Sequence, residues 1–186
     1  MRLFIALPIP EVLTSALRHA QERLLRAVPE GISTTDLSQA HLTLLFIGER
    51  PESELPALKA IVTKIGAEVM PLNLSLTRLS AFPSPQDPRI VWAGVSDDQG
   101  QLNRITGMLQ QEALALGYPI ESRDFVPHLT LARSKQVKNR TSLRLFLERE
   151  PLRAESCLIS RIVLYQSTPT PTGHSYQELS SITLSG

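Results

Sequence analysis

The sequence predicts an α+β protein made of two related halves, and three observations carry that prediction. The tetrad His41-Leu42-Thr43-Leu44 returns unchanged as His128-Leu129-Thr130-Leu131. Apolar residues alternate with period two around both tetrads, and between them they recur at helical intervals of three and four. The order helix, motif strand, helix, long hairpin then occurs twice, and the span from His41 to Trp92 nearly equals the span from His128 to Tyr176. Two related halves tend to pack about an approximate two-fold axis, so His41 and His128 are expected face to face across a cleft.

Residues 2 to 7 form the first element, a short buried strand. Pro10 suits a first helical turn, and Val12, Leu13, Ala16, Leu17, Ala20 and Leu24 mark one face of a helix that ends near Val28-Pro29. His19 falls within it, on the solvated side. The stretch from Gly31 to Gln39, rich in Ser and Thr, delivers the chain to the first motif strand, which Gly48 ends. Pro51 and Ser53 open a helix whose stripe is Leu55, Leu58, Val62, Ile65 and Val69. Leu72, Leu74 and Leu76 switch the period to two, in a strand that runs towards Phe82. Turn residues from Pro83 to Pro88 then predict a hairpin with a long polar tip before Arg89 to Trp92.

In the second half Asp98 can cap a helix with Leu102, Ile105, Leu109 and Ala113 inward, ended by Gly117. The second motif strand follows Pro127. A shorter helix near Thr141 to Glu148, a strand from Leu158 to Gln166, a loop through Pro169, Pro171 and Gly173, and a strand from Ser175 to Leu184 complete the order.

Length and composition narrow the function. At 186 residues and 20.6 kDa the chain fits one domain over residues 1–186, with two small lobes sharing a core. Its 19 basic and 18 acidic residues give no broad basic surface, which argues against long-duplex binding and makes any phosphate site local. The single Cys157 excludes an internal disulfide and, set in an apolar strand pattern, reads as a buried thiol in a reducing compartment. The apolar start from Met1 to Leu7 imitates a signal peptide, but Pro8 and Pro10 interrupt it and no small-residue cleavage site follows. No run approaches the length of a membrane span, so a cytoplasmic protein is expected.

The tetrads carry the chemistry. Residues i and i+2 of a strand share a face, so each copy projects a His and a Thr together while its leucines enter the core. One neutral and one protonated imidazole on opposite sides of a substrate supply a base and an acid, which suits in-line displacement at phosphorus. Thr43 and Thr130 can then donate hydrogen bonds to non-bridging phosphate oxygens. Zinc would need a third protein ligand, and neither motif has an acidic neighbour on its own face, although Asp36 and Asp124 precede the two histidines closely enough to approach by loops.

The paired His-x-Thr-x motifs resemble those of the two-histidine phosphoesterases. Three further stretches narrow the resemblance to the bacterial RNA 2′,3′-cyclic phosphodiesterase group, also called 2′-5′ RNA ligases: the opening Arg2-Leu3-Phe4-Ile5-Ala6, the block Phe125 to Arg133, and Leu164-Tyr165-Gln166-Ser167. That resemblance implies two lobes whose antiparallel sheets line a central cleft, with helices outside. It implies a hydrolase that opens RNA 2′,3′-cyclic phosphates to 2′-phosphomonoesters, joins 2′-5′ ends in reverse, and uses no metal or other cofactor. His41 and His128 match the catalytic histidines, and Thr43 and Thr130 the phosphate-binding hydroxyls. Arg133 matches a basic residue after the second motif, although its strand parity is opposite to that of His128. Phe4 has two readings, a stacking partner for a base and a buried core ring. His174 matches nothing catalytic and is expected in an exposed loop.

The expected partners are RNA ends or small nucleotides bearing a 2′,3′-cyclic phosphate, bound by a monomer that uses no membrane. With two similar histidines, pocket asymmetry must choose the leaving oxygen; the expectation is departure of O3′, with His41 the acid and His128 the base. Phe4 and Arg133, each without an evident counterpart in the other half, are the expected sources of that asymmetry. Two other readings are a non-catalytic module that binds RNA ends, and a hydrolase of small cyclic nucleotides or ADP-ribose derivatives.

Overall fold

A computed structural model describes residues 1–119, 124–135, 137–152, 155–171 and 173–186. In chain order the elements are β1 (Arg2–Pro8), α1 (Glu11–Ala27), β2 (Ile32–Thr34), β3 (His41–Glu49), α2 (Leu55–Glu68), β4 (Leu72–Ser84) and β5 (Asp87–Asp97). Then come α3 (Gln101–Ala115), β6 (His128–Ser134), α4 (Arg140–Arg149), β7 (Ser156–Ile159), β8 (Arg161–Thr170) and β9 (Gly173–Thr183). Short 3-10 turns at Leu37–Gln39 and Glu52–Glu54 lead into β3 and α2.

Two antiparallel sheets result, one of four strands in the order β3-β1-β8-β9 and one of five in the order β2-β6-β5-β4-β7. The helices cover their outer faces: α2 and α3 pack on the four-stranded sheet, α1 and α4 on the five-stranded one. This is the α+β layout that the sequence predicts. β1 is apolar on both faces because both are covered. Leu3, Ile5 and Leu7 join the main core beneath the helices, while Phe4 and Ala6 face the cleft with Val163 and Tyr165.

The sheets do not coincide with the sequence halves. The hairpin β4–β5, which follows the first motif, pairs with the second motif strand β6. The hairpin β8–β9, which follows the second motif, pairs with β1 beside the first motif strand β3. The predicted strand from Leu158 to Gln166 is therefore two strands in different sheets, β7 and β8, with the change of sheet at Ser160. A periodicity of two cannot reveal that break, because it continues across it.

Other local expectations also change. The stretch from Gly31 to Gln39 contains β2, which borders β6. The β4–β5 tip is tighter than its turn residues suggest, with Ser84 paired to Asp87. Asp97, not Asp98, caps α3: its carboxylate accepts from the amides of Gln99 (3.1 Å), Gln101 (2.6 Å) and Leu102 (3.2 Å). Gly100, at φ 67°, takes the left-handed turn that folds those amides back onto Asp97. Gly117 ends the helix as predicted, and the Tyr118 amide donates to the Ala113 carbonyl at 2.9 Å.

Candidate active site

β3 and β6 come from different sheets and approach each other without pairing, and between them lies a cleft of about 310 Å³. His41, Thr43, His128, Thr130 and Arg133 all line it. Both copies of the motif therefore serve one site.

Each imidazole is fixed in the same way. His41 Nδ1 lies 2.8 Å from the carbonyl of Gln39, and His128 Nδ1 lies 2.7 Å from the carbonyl of Val126. A carbonyl only accepts, so Nδ1 carries the proton and donates, which leaves Nε2 of each neutral ring with its lone pair free. Burial among aromatic rings holds both histidines below the ordinary imidazole value, and the Nδ1 bonds only partly offset it.

Apart from Phe4 on β1, those rings come from the exchanged hairpins. His41 packs against Phe4 (4.8 Å between centroids), Tyr165 (5.8 Å) and the edge of Tyr176 (4.8 Å). His128 packs against Phe82 (4.9 Å) and Trp92 (5.9 Å). The nearly equal spans from His41 to Trp92 and from His128 to Tyr176 are thus used crosswise: each aromatic walls the histidine of the other motif. Gly94, paired with His128 on β5, has no room for a side chain, since a Cβ there would run into Thr77 Oγ1.

Phe4 is corrected by this geometry. It is 2% exposed, with its faces taken by His41 and by Tyr165, 5.2 Å away, so it supports the imidazole and has no face open to a base. Its register equivalent on β5 is Ile90, paired with Arg133 as Phe4 is with Phe46, while Trp92 stands opposite Thr130 where the other sheet has Ala6 opposite Thr43, so Phe4 has no aromatic counterpart.

Arg133 reaches the cleft through a bulge. Along β6, Thr130 pairs with Trp92 but Ala132 pairs with Val91, so Leu131 is the extra residue and the side-chain alternation slips by one. The objection from strand parity disappears. The bulge is anchored from behind: Thr35 Oγ1 lies 2.8 Å from the Thr130 carbonyl and 2.9 Å from that of Leu131, its single proton shared between them. Buried Gln21 of α1 also donates to the Leu131 carbonyl, at 2.8 Å. β3 carries matching shifts against β1, and these bring Phe46, the residue at the position equivalent to Arg133, onto the cleft face, 61% exposed.

Gln39 closes the four-stranded sheet. Its Nε2 donates to the Tyr176 carbonyl (3.2 Å) and its Oε1 accepts from the Tyr176 amide (3.3 Å), so the side chain stands in for a neighbouring strand at the β9 edge. The sheet curls until β9 wraps around His41. Nothing in the first motif announces this, since the partners lie 137 residues apart. His174, expected in an exposed loop, is exposed as expected but lies on β9, where it lines the cleft with Arg2 and Ser167. His19 is half-buried on α1 and bonds to the Ser15 carbonyl at 2.8 Å. Cys157 sits half-buried on β7, away from the cleft lining, and burial pushes its thiol up.

Among the described residues no three His, Cys, Asp or Glu side chains cluster as a metal would require. Asp36 lines the cleft, but its carboxylate accepts from the Ser38 amide at 2.9 Å, and Asp124 is not among the lining residues. No helix among the described residues is long and apolar enough to cross a membrane.

Two imidazoles with free Nε2 atoms and two hydroxyls, offered to one cleft by two matching sheets, define a phosphoesterase of the two-histidine kind. The profile of the 2′-5′ RNA ligase superfamily matches residues 9–170, and the chain belongs to that family. It is 34% identical to the RNA 2′,3′-cyclic phosphodiesterase of Aeropyrum pernix, over 80% of this chain and 84% of that one. To the protein of the same name from Thermus thermophilus it is 33% identical, over 100% of this chain and 91% of the relative. A crystal structure of a Thermus thermophilus protein superposes with a TM-score of 0.85 at 31% identity, covering 100% and 99% of the two chains. The structure of Escherichia coli LigT complexed with 3′-AMP, at 24% identity, shares the fold with a TM-score of 0.79 over 100% and 98%.

Proposed function

We propose that this chain hydrolyses RNA 2′,3′-cyclic phosphate ends to 2′-phosphomonoesters, with His41 and His128 as acid and base. The observation that carries the reading is the shared tautomer: both rings spend Nδ1 on a backbone carbonyl and keep Nε2 free at one cleft. His128 takes a proton from water as the water oxygen bonds to phosphorus. The P–O3′ bond breaks on the opposite side, and O3′ receives the Nε2 proton of His41, which enters this step as the imidazolium and leaves it neutral. Thr43 and Thr130 donate to the non-bridging oxygens, and Arg133 offsets the charge that develops there. A 5′-hydroxyl of RNA in place of water gives a 2′-5′ linkage by the same steps, which is the joining direction. The lone thiol supports action in the reducing cytoplasm, and the near-balanced charge supports a local phosphate site for RNA ends or small cyclic nucleotides, bound by a monomer in this reading.

The test is turnover of 2′,3′-cyclic AMP by His41→Ala and His128→Ala. Each is expected to lower kcat by about 10²-fold or more with the fold intact. Near-normal turnover by either variant removes that residue from the mechanism. Phosphorus NMR of the product is expected to show the 2′-phosphate; mainly 3′-phosphate overturns the assignment of the leaving oxygen.

A further inference from the structure

The cleft holds more positive charge than one cyclic phosphodiester, with its single negative charge, can use. Arg133 lies on the strand of His128. Arg2 lies on the opposite sheet, and among the described residues no carboxylate bonds to it. Its β3 neighbour Glu49 faces the N-terminal ammonium at 3.4 Å, and among the described residues the one acidic side chain lining the cleft is that of Asp36, which accepts from the Ser38 amide.

The register places further groups around Arg2. Arg2 pairs with Ser167, and Ser167 with Tyr176, so the three side chains form one row on the cleft face. His174, two residues before Tyr176 on β9, shares that face, and its ring lies parallel to the Tyr176 ring at 6.4 Å. Its Nδ1 is 3.1 Å from Ser167 Oγ, the hydroxyl of a residue only 8% exposed. A guanidinium, an imidazole and a hydroxyl thus converge beside the reacting centre. The row stands two residues along β1 from Phe4, the ring beneath His41, about 7 Å at the rise of a strand. That is on the order of one nucleotide step.

We propose that Arg2, Ser167 and His174 form a second phosphate subsite, which takes the phosphate on the 5′ side of the nucleotide whose 2′,3′-cyclic phosphate is opened. The inference rests on the function proposed above and deepens it: the preferred substrate is an RNA end or a 5′-phosphorylated nucleotide, not a bare nucleoside cyclic phosphate. Arg2 and Arg133 both line this cleft, and both oppose the rise that burial imposes on the Tyr176 hydroxyl.

The experiment measures kcat/KM for adenosine 2′,3′-cyclic phosphate, for its 5′-phosphorylated form, and for the ApA dinucleotide ending in the cyclic phosphate. The natural chain is expected to favour the two phosphate-bearing substrates by at least about tenfold, the worth of one charge-assisted hydrogen bond. In the double variant Arg2→Gln/His174→Gln that ratio is expected to fall to about two or less. Preference for the dinucleotide alone assigns the subsite to an internal phosphodiester, and preference for the 5′-phosphomonoester alone to a free terminal phosphate. Equal kcat/KM for all three substrates in the natural chain overturns the proposal, as does a ratio that survives in the double variant.

Calorimetry on the natural chain reads the subsite without turnover or a variant. Adenosine 3′,5′-bisphosphate is expected to bind at least about tenfold more tightly than adenosine 3′-monophosphate. Tight bisphosphate binding without hydrolysis of any cyclic phosphate would leave the subsite standing and remove the proposed reaction. Hydrolysis without that binding preference would do the reverse.

Discussion

Replacing Phe4 by Ala separates support of the histidine from recognition of a base. Phe4 is 2% exposed and touches His41, Phe46, Tyr165 and Tyr176, with centroids 4.8 to 6.1 Å away. Truncating a buried Phe costs about 3–5 kcal/mol. A domain of this size has roughly 5–15 kcal/mol in total and loses about 2–4 °C of Tm per kcal/mol, so the variant is expected to fold with a Tm lowered by roughly 6–20 °C. Water then reaches His41, whose depression below 6.5 comes chiefly from burial, and its pKa rises towards that value. Proton NMR of the His41 ring follows the titration directly. Turnover is compared on 2′,3′-cyclic AMP and on ribose 2′,3′-cyclic phosphate, which has no base. The same fractional loss on both is expected, because Phe4 acts through the imidazole. A loss confined to the substrate with a base, or a His41 pKa that does not move, would refute the reasoning.

The remaining predictions concern pH and the β6 bulge. Both imidazoles titrate below 6.5, so as pH falls the unfolded chain binds protons first: stability is fully present above about 6.5 and is lost as pH falls through the folded values. Urea midpoints are expected to drop between pH 7.5 and 5.5, and this drop shrinks in His41→Gln/His128→Gln; an unchanged slope in that variant would rule out these two groups as its source. By the same shifts, the form with one protonated imidazole peaks on the acid side of 6.5. The bell of kcat/KM is expected there, and the fluorescence of Trp92, the single tryptophan, 5.9 Å from His128, should follow one of its limbs. A kcat/KM optimum above pH 7.5 would contradict the depressed values. Thr35→Val removes the hydroxyl behind the bulge at a cost of about 0.5–1.5 kcal/mol and should lower kcat/KM several-fold by letting Arg133 turn away. Full activity at reduced stability would show that the bulge does not aim Arg133.

The parts of this molecule that depend on near neighbours in sequence were legible. Strand periodicity put His41 and Thr43 on one face, helical stripes located all four helices, and Gly117 marked the end of α3. Partners far apart in the chain were not. The exchange of hairpins has no local signature, and the clamp of Gln39 on Tyr176 and the hold of Gln21 on Leu131 span 137 and 110 positions, from glutamines that look like ordinary surface amides. The bulge at Leu131 was hidden for another reason. An extra residue in a strand leaves the sequence alternating while the faces change, so Arg133 looked misdirected until its register against β5 was known. Phe4 was misread because a ring that supports an imidazole and a ring that stacks on a base look alike in sequence. Only its burial distinguishes them.

The exchanged hairpins also bear on synthesis. β1 is synthesised well over a hundred residues before its strand neighbour β8, with Arg2 set against Ser167. The sheet that walls His41 therefore has to wait until β8 has been made, and contacts this distant in sequence close slowly. A nascent chain presents both motif strands long before it owns a finished pocket. It is consequently expected to be inert towards the RNA that surrounds it during translation until β8 and β9 are free to fold.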